Sequence, residues 1–288
     1  MRYILRERYS EDNIYIDSNK SLNFFYGNFF GRLILKLLTT KFISDVVGIF
    51  MNSRLSTVRI KKTIRKYNIH TTDYEDIKYK SFNEFFTRKI LYNKRPIASN
   101  SNILISPCDS SLSVYKINKD LTLKIKDSYY SIDTLVEKKV LKEYIDGYAL
   151  VFRLNEDNYH RYCYIDNGKQ GKNISIKGIY HTVQPISLNK YNFYKTNNRE
   201  YTTLDTDNFD KVIHVEIGAM CIGKIKNIHE NYKFKKGEEK GYFEFGGSTI
   251  VLLIKKDVVE IDKDILINST NDIETIVKYG SRIGKKIM

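Results

Sequence analysis

The chain has few of the residues that build cross-linked or metal-bound proteins, with three cysteines and three prolines in 288 residues. Cys108, Cys163 and Cys221 are far apart and form no C-x-x-C pair, so the sequence predicts neither a zinc site nor a disulfide framework. The best apolar stretch, residues 42–51, is shorter than the roughly 18 residues of a membrane-spanning helix. We also expect no secretory signal, because the N-terminus lacks the apolar stretch that one requires. These absences favour a protein of the reducing cytosol that meets a membrane only at its surface.

The formal charge of +14 is the strongest bias in the composition. It suits an anionic partner, either a nucleic acid or an acidic lipid surface, because summed charge concentrates surfaces of the opposite sign. Lys, Asn, Ile and Tyr are all abundant, which is also typical of an AT-rich genome, so charge alone does not choose the partner. The aromatic RNA-binding signature with its Lys/Arg-Gly-Phe core is missing, and we therefore predict no nucleic-acid partner.

Two patterns divide the chain near residue 98. Apolar residues recur near helical spacing from residue 20, and Arg and Lys crowd the segment 57–67, so residues 20 to about 95 are predicted to be helical. From about residue 100, short β-rich runs are separated by turn signals. We predict an α+β fold in which a basic helical N-terminal segment, residues 1–98, forms a layer on a β-rich core, residues 99–288. The basic, aromatic-rich helices suit either packing on this core or lying in a lipid interface.

A break in a strand-like region carries the most information about chemistry. Gly246-Gly247-Ser248-Thr249 separates two strand-like runs. Glycines there forfeit packing and conformational entropy, which indicates a strained turn or a close backbone approach. A β-bulge or a tight hairpin with a serine at its tip explains this pattern, and so does self-cleavage at the serine.

Self-cleavage requires a serine hydroxyl beside an unshielded carbonyl. The hydroxyl of Ser248 can attack the carbonyl of Gly247 and convert the amide into an ester, helped by strain at the turn. Loss of the Ser248 Cα proton then expels the acyl group by β-elimination, and hydrolysis of the resulting dehydroalanine leaves a ketone, a pyruvoyl group, at a new N-terminus. Both stages need a base, which is usually a His held by a carboxylate.

Several segments along the chain point to one family. The segment 236–249 closely resembles the self-cleavage segment of phosphatidylserine decarboxylase proenzymes. Further segments follow in that family's order, namely 82–88, 95–97, 106–109, 159–161, 183–185 and 215–219. The resemblance covers residue 80 to the C-terminus well and the N-terminal part loosely. It implies that the β-rich core beneath the helical layer is phosphatidylserine-decarboxylase-like.

The resemblance implies a complete activity. Cleavage between Gly247 and Ser248 would yield a β chain of residues 1–247 and an α chain of residues 248–288, with a pyruvoyl cofactor derived from Ser248 and with neither metal nor pyridoxal phosphate. The ketone would form a Schiff base with phosphatidylserine and release CO2 and phosphatidylethanolamine. The implied partners are phosphatidylserine in an anionic membrane, the two chains of one precursor and, as a family expectation, a homodimer. The implied location is peripheral, on the cytoplasmic face of the cell membrane.

The resemblance also assigns roles to individual residues. It puts Asp109 in the carboxylate role, although an Asp after Pro107 is also a common turn residue. His160 matches the first histidine of the family's His-x-x-His pair, which serves decarboxylation, and Cys163 stands where the second histidine, credited with maturation, is usual. A thiol with an ordinary pKa near 8.5 is a poor base. Three bases stay open, namely His160 serving both steps, His181 from a neighbouring segment, or Cys163 itself, and we favour His160.

Other functions also stay open at the level of sequence. Ser110 and Gln184 replace the family's usual Gly and Asn, and together with Cys163 they leave a catalytically inactive homologue as the main alternative, a basic lipid-surface binding protein. A pyruvoyl decarboxylase of a soluble amino acid fits less well, because the basic aromatic N-terminal segment suggests an approach to a membrane. A serine hydrolase is disfavoured, since G-x-S-x-G does not occur around Ser248.

Overall fold

The computed structural model describes residues 2–17, 20–125, 128–133, 135–136, 138–178, 197–218, 224–246 and 248–287. Strands dominate this described part. In chain order they are β1 (Arg2–Arg6), β2 (Asn13–Asp17), β3 (Ile103–Ile105), β4 (Ser110–Lys116), β5 (Thr122–Ile125), β6 (Ser128–Ser131), β7 (Tyr148–Leu154), β8 (Arg161–Cys163), β9 (Gly168–Gln170), β10 (Ile174–Ile176), β11 (Arg199–Thr206), β12 (Lys211–Gly218), β13 (Ile225–Asn227), β14 (Tyr232–Phe234), β15 (Glu239–Phe243), β16 (Ser248–Ile254), β17 (Val259–Ile261), β18 (Ile273–Val277) and β19 (Arg282–Lys286).

The helices concentrate before residue 90. They are α1 (Lys20–Gly27), α2 (Phe29–Leu38), α3 (Lys41–Asn52), α4 (Val58–Tyr67), α5 (Phe82–Phe86), α6 (Lys138–Leu141) and α7 (Lys263–Thr270). Short 3-10 segments occur at Arg54–Thr57, Thr71–Asp73, Tyr92–Lys94 and Lys142–Tyr144. Among the helices in the described ranges, none combines the length and the apolar character needed to cross a bilayer.

Most strands belong to one large mixed sheet. Within the described residues its order is β14-β9-β11-β12-β16-β7-β4-β18-β1-β2, with β10 paired to β11. A second sheet has the order β13-β15-β8, a third has the order β17-β19-β3, and β5 pairs with β6. The prediction of a β-rich core is therefore confirmed.

Strand β16 runs through the middle of the large sheet, between β12 and β7. Every residue of β16 is buried. Ile250 and Leu252 belong to an apolar cluster that also includes Tyr162 and Phe243 of the second sheet. Val251 joins a separate cluster with other residues of the large sheet. Because both faces of the sheet are covered, the strand reads as a continuous apolar run in the sequence.

The N-terminal residues differ from the expected helical segment. Residues 2–17 form the strands β1 and β2, which pair with each other in antiparallel register. β1 also runs parallel to β18 and extends the large sheet at its edge, with Ile4 opposite Ile273. The free edge of β18 accepts the backbone of β1, a tertiary partner that helical periodicity over residues 20–67 does not reveal.

Helix α5 connects the N-terminal helices to the core. The hydroxyl of Ser81 accepts a hydrogen bond from the N–H of Glu84 at 3.1 Å, and the Glu84 carboxylate accepts one from the N–H of Lys80, so the helix start is capped from both sides. Phe82 and Phe86 pack in a cluster with Met51 of α3. Phe86 also packs on the His160 ring, so α5 joins the N-terminal helices to the core.

Candidate active site

Ser248 is the first residue of β16 and is fully buried. β15 pairs with β13 and β8, whereas β16 pairs with β12 and β7, so the chain passes from one sheet to the other between Phe243 and Ser248. The glycine-containing segment is therefore a crossing between stacked sheets and not a hairpin. Gly246 has a φ of +141°, a backbone conformation that favours glycine. Gly247 lies outside the described residues.

Strand pairing brings His160 to Ser248. Leu154, the last residue of β7, lies opposite Ser248, and the loop 155–159 returns the chain to His160 at the start of β8. His160 Nδ1 lies 3.2 Å from Ser248 Oγ, and His160 Nε2 lies 2.8 Å from the carbonyl oxygen of Asn155. Because a carbonyl oxygen can only accept, Nε2 carries the hydrogen and Nδ1 presents its lone pair to the Ser248 hydroxyl. His160 is thus oriented to accept the proton of Ser248.

The surroundings of His160 keep its imidazole neutral. The side chain is fully buried, and the Phe86 ring lies against it with a centroid separation of 4.1 Å. Burial lowers the pKa of His160 from its usual value to about 3, opposed by the hydrogen bond to the Asn155 carbonyl and assisted by the positive charge of Arg88. A neutral imidazole is the form that can act as a base.

Asp109 is buried, and its carboxylate accepts hydrogen bonds from groups other than His160. Its carboxylate accepts hydrogen bonds from Arg95 Nε at 2.8 Å and from the N–H of Tyr279 at 2.8 Å. Within the described residues, the hydrogen-bond partners of the His160 imidazole are Ser248 and Asn155. The structure therefore brings Ser248 and His160 together and places Asp109 in a separate ion pair with Arg95.

The thiol of Cys163 is buried on β8. Burial raises its pKa to about 12, against a hydrogen bond with the Tyr279 side chain, so the thiol stays protonated near neutral pH. Its backbone N–H donates to the carbonyl of Pro107 at 2.9 Å, which ties β8 to the segment that carries Asp109. His181, the third base considered from sequence, lies outside the described residues.

Asn83 of α5 holds the segment before Ser248, a function that sequence reasoning missed. Asn83 Oδ1 accepts a hydrogen bond from the N–H of Phe245 at 2.9 Å, and Asn83 Nδ2 donates to Asn52 Oδ1 at 3.0 Å. The Phe245 ring packs on Phe82 and Phe86 at centroid separations of 5.1 and 5.3 Å. The segment 82–88 resembles the corresponding segment of the family, and its Asn83 was the sequence feature that could have indicated this contact.

A buried charge cluster joins the two sheets near Ser248. Glu216 Oε1 of β12 lies 2.5 Å from Lys240 Nζ of β15 and 2.9 Å from His214 Nδ1, and all three side chains are fully buried. Burial alone would raise the pKa of Glu216, but Lys240 and His214 lower it to about 2. Gly218, on the same strand as Glu216, pairs with Ser248. The cluster therefore fixes β15 over the strand that borders the cleavage segment.

Comparisons with known proteins all identify the same family. A family model described as phosphatidylserine decarboxylase matches residues 82–285 of this chain. Phosphatidylserine decarboxylase proenzyme 2 of Clostridium acetobutylicum is 47% identical over 283 residues, which cover 98% of this chain and 96% of that protein. The phosphatidylserine decarboxylase proenzymes of Clostridium tetani and Clostridium perfringens are each 39% identical, over 94% and 93% of this chain and 93% of each relative. This chain is similar to all three along nearly its whole length.

Proposed function

The chain belongs to the phosphatidylserine decarboxylase family, and on that premise we propose that the precursor cleaves itself at Ser248 and that the reacting ketone forms from this residue. The chain is a proenzyme whose mature form decarboxylates phosphatidylserine. The observation that carries the assignment is the separation of 3.2 Å between Ser248 Oγ and His160 Nδ1 in a fully buried setting. A serine hydroxyl that shares its proton with a neutral imidazole is an activated nucleophile.

The first stage moves the acyl group of Gly247 from nitrogen to oxygen. His160 Nδ1 accepts the hydroxyl proton while Ser248 Oγ bonds to the Gly247 carbonyl carbon. The imidazolium then returns the proton to the Ser248 nitrogen as the C–N bond breaks, which leaves an ester. Asn83 holds the N–H of Phe245, two residues before Gly247, and so limits the motion of the acyl side.

The second stage breaks the ester by elimination. A base removes the Ser248 Cα proton, the Cβ–Oγ bond breaks, and residues 1–247 leave with a C-terminal carboxylate. Hydrolysis of the resulting dehydroalanine releases ammonia and leaves the ketone at the new N-terminus of residues 248–288. His160 is the base that the geometry offers, since its Nδ1 faces the Ser248 side chain.

The residues around Ser248 fit a ketone at that position, because the side chain is fully buried beside a neutral imidazole, against which the Phe86 ring packs. Such a carbonyl withdraws electrons from the bound amine and thereby supports the loss of CO2. His160 Nδ1 is placed to hold and return the proton that replaces the lost carboxyl group.

Asp109 is proposed to act as a positioning residue. It holds the N–H of Tyr279 and forms an ion pair with Arg95, while Tyr279 also contacts the thiol of Cys163 on β8. His160 directly precedes β8 in the chain. Loss of the Asp109 carboxylate would leave Arg95 unpaired and release the strand that carries His160 to Ser248.

We place the substrate at an anionic membrane that meets the helices α2 to α4. Large apolar side chains are exposed there, including Phe30, Leu33, Phe42, Ile49, Leu55 and Val58. Basic residues accompany them on α4, and Arg59 lies over the rings of Phe82 and Phe245 next to the cleavage segment. Exposed apolar side chains beside Lys and Arg suit the headgroup region of acidic lipids. We propose a peripheral location on the cytoplasmic face of the cell membrane, which is compatible with this docking.

Docking can be tested by liposome flotation. Changing Ile49 and Leu55 to Glu is expected to lower binding to phosphatidylserine vesicles by about tenfold or more, because charge opposes burial of these positions in lipid. Ile267→Glu on α7 is a matched control, since Ile267 is also an exposed large apolar residue, in a helix outside α2 to α4. Unchanged flotation of the doubly substituted protein would exclude this docking surface.

Intact mass analysis tests the cleavage assignment. The natural chain is expected to give two polypeptides, residues 1–247 and 248–288, with the shorter one starting at a ketone. Ser248→Ala is expected to stay a single inactive chain, because it lacks the attacking oxygen. Ser113→Ala, which removes another buried hydroxyl, is expected to cleave normally. Two chains from Ser248→Ala would overturn the assignment.

A further inference from the structure

Arg88 is a buried cation two residues after the end of α5. Only 2% of its surface is exposed. Its guanidinium lies over two aromatic rings, with the Tyr74 ring centroid at 4.3 Å and the Phe85 ring centroid at 4.9 Å. Stacking of this kind stabilises a guanidinium and leaves its edge of N–H groups free to bind.

The hydrogen bonds of Arg88 do not satisfy all the N–H donors of its guanidinium. Nη1 donates to the carbonyl of Phe85 at 3.3 Å, and Nη2 donates to the Tyr74 hydroxyl at 3.3 Å and to the Asp157 carbonyl at 3.5 Å. Nε is buried without a partner in the described part of the chain. These three bonds are long, and all of their acceptors are neutral.

A carboxylate partner is also missing among the described residues. Three other arginines near the site each have one, since Arg95 binds Asp109, Arg153 binds Glu274 and Arg161 binds Glu239. Arg88 forms no ion pair within the described ranges. A buried charge without a counter-ion is costly, and an unsatisfied buried donor in a native fold requires an explanation.

Arg88 and the imidazole of His160 both bind backbone carbonyls of one loop. Its Nη2 binds the Asp157 carbonyl, and His160 Nε2 binds the Asn155 carbonyl of the same loop. Phe86, two residues before Arg88, packs on the His160 ring. Asp157 is exposed, so Arg88 lies directly beneath a surface loop that also positions the imidazole.

We propose that Arg88 binds an oxyanion of the substrate headgroup, either the phosphodiester or the carboxylate, and thereby orients the amine toward the position of Ser248. This inference rests on the decarboxylation of phosphatidylserine proposed above. The planar fork of a guanidinium matches two oxygens of either group. The aromatic rings keep the fork in place before the substrate arrives, so little ordering is needed on binding.

The test compares mature wild-type enzyme with Arg88→Met and Arg88→Lys. Each protein is first shown by mass analysis to contain both chains and the ketone. Borohydride then traps the covalent adduct with three amines in detergent micelles, and the half-saturating concentration of each is measured. Butylamine carries no oxyanion, phosphatidylethanolamine carries a phosphodiester without a carboxylate, and serine carries a carboxylate without a phosphodiester.

Arg88→Met is expected to leave butylamine trapping unchanged and to raise the half-saturating concentration of one oxyanion-bearing amine by about tenfold or more. A rise for phosphatidylethanolamine identifies the phosphodiester as the bound group, and a rise for serine identifies the carboxylate. Arg88→Lys, which keeps the charge and loses the fork, is expected to show a smaller rise and provides the test if the methionine variant does not fold. Arg161→Met is the matched control, because it removes a paired arginine adjacent to His160.

Two results would overturn the proposal. One is a half-saturating concentration within about threefold of wild type for all three amines. The other is an equal rise for all three, or the same rise in Arg161→Met, because an effect on the fold or on general charge would then explain the loss. If the proposed function itself were wrong, the result would differ from both of these, since the wild-type protein would show neither two chains nor any trapped adduct.

Discussion

The Nδ1 atom of His160 lies 3.2 Å from the hydroxyl oxygen of Ser248, while Nε2 of the same ring donates to the carbonyl of Asn155. A backbone carbonyl thus sets the tautomer that a carboxylate sets in Ser-His-Asp sites. The carbonyl carries no net charge, so it stabilises the imidazolium less than a carboxylate would.

His160→Gln is expected to slow self-cleavage by about 100-fold or more, because general-base assistance of this kind contributes about 100- to 10,000-fold. Gel separation of the two chains over time measures the rate. His70→Gln is a matched control, since His70 is exposed on the N-terminal side of α5. Cleavage of His160→Gln at the wild-type rate would require another base.

Self-cleavage is expected to depend little on pH between about pH 5 and pH 8. The base must be unprotonated, and burial lowers the pKa of His160 to about 3, so the neutral form dominates above that value and is lost as the pH falls through it. Rate constants for refolded precursor across this range check the prediction. A decline centred near pH 6.5, the ordinary histidine value, would show that the base is a solvated histidine instead.

Cys163→Ala is expected to cleave within about threefold of wild type, because a thiol whose pKa is raised to about 12 is protonated near neutral pH. The hydrogen bond from the backbone N–H of Cys163 to the Pro107 carbonyl does not involve the side chain and is retained. The same gel assay measures the rate, and thermal unfolding reports any loss from the smaller side chain. If cleavage stopped in a variant that unfolds like wild type, the thiol would take part after all.

Asn83→Leu is expected to slow maturation by about tenfold, because the N–H of Phe245 loses its acceptor and the segment before Ser248 is held less firmly. Asn83→Asp keeps an acceptor at this position and is expected to recover most of the rate. The fraction that does mature should decarboxylate normally per ketone, since Asn83 acts on the uncleaved segment. An equal fall in the activity of the matured fraction would contradict this role.

Lys240→Met is expected to lower the free energy of unfolding by about 3–5 kcal/mol, because the buried Glu216 carboxylate loses its lysine partner and keeps only the contact with His214. Urea unfolding in a Ser248→Ala background keeps the chain uncleaved during the measurement. Adding Glu216→Gln should recover part of the loss.

The pKa of Glu216 is lowered to about 2, so its contribution to stability is present above its ordinary pKa of about 4.5 and is lost as the pH falls toward 2. Equal stability of Lys240→Met and wild type would contradict the cluster's role.

Local sequence patterns predicted much of the core. Among the β-rich runs after residue 100, residues 148–154, 211–217 and 249–254 lie in β7, β12 and β16, because continuous runs of branched apolar residues suit strands buried on both faces. The N-terminal strands β1 and β2 were not predicted, since β1 joins the large sheet through β18, more than 250 residues away in the chain. Pairing between distant strands leaves little signal in either segment.

The sequence by itself determined that a serine follows two glycines at the start of a buried apolar run and that a histidine stands in a segment typical of this family. Only the tertiary structure decided what each group contacts. It placed Asn155 rather than Asp109 on His160, paired Asp109 with Arg95, and left Arg88 without a carboxylate among the described residues. Residue types and spacing specify which chemistry is available, whereas hydrogen bonds and ion pairs depend on how strands far apart in the chain come to lie side by side.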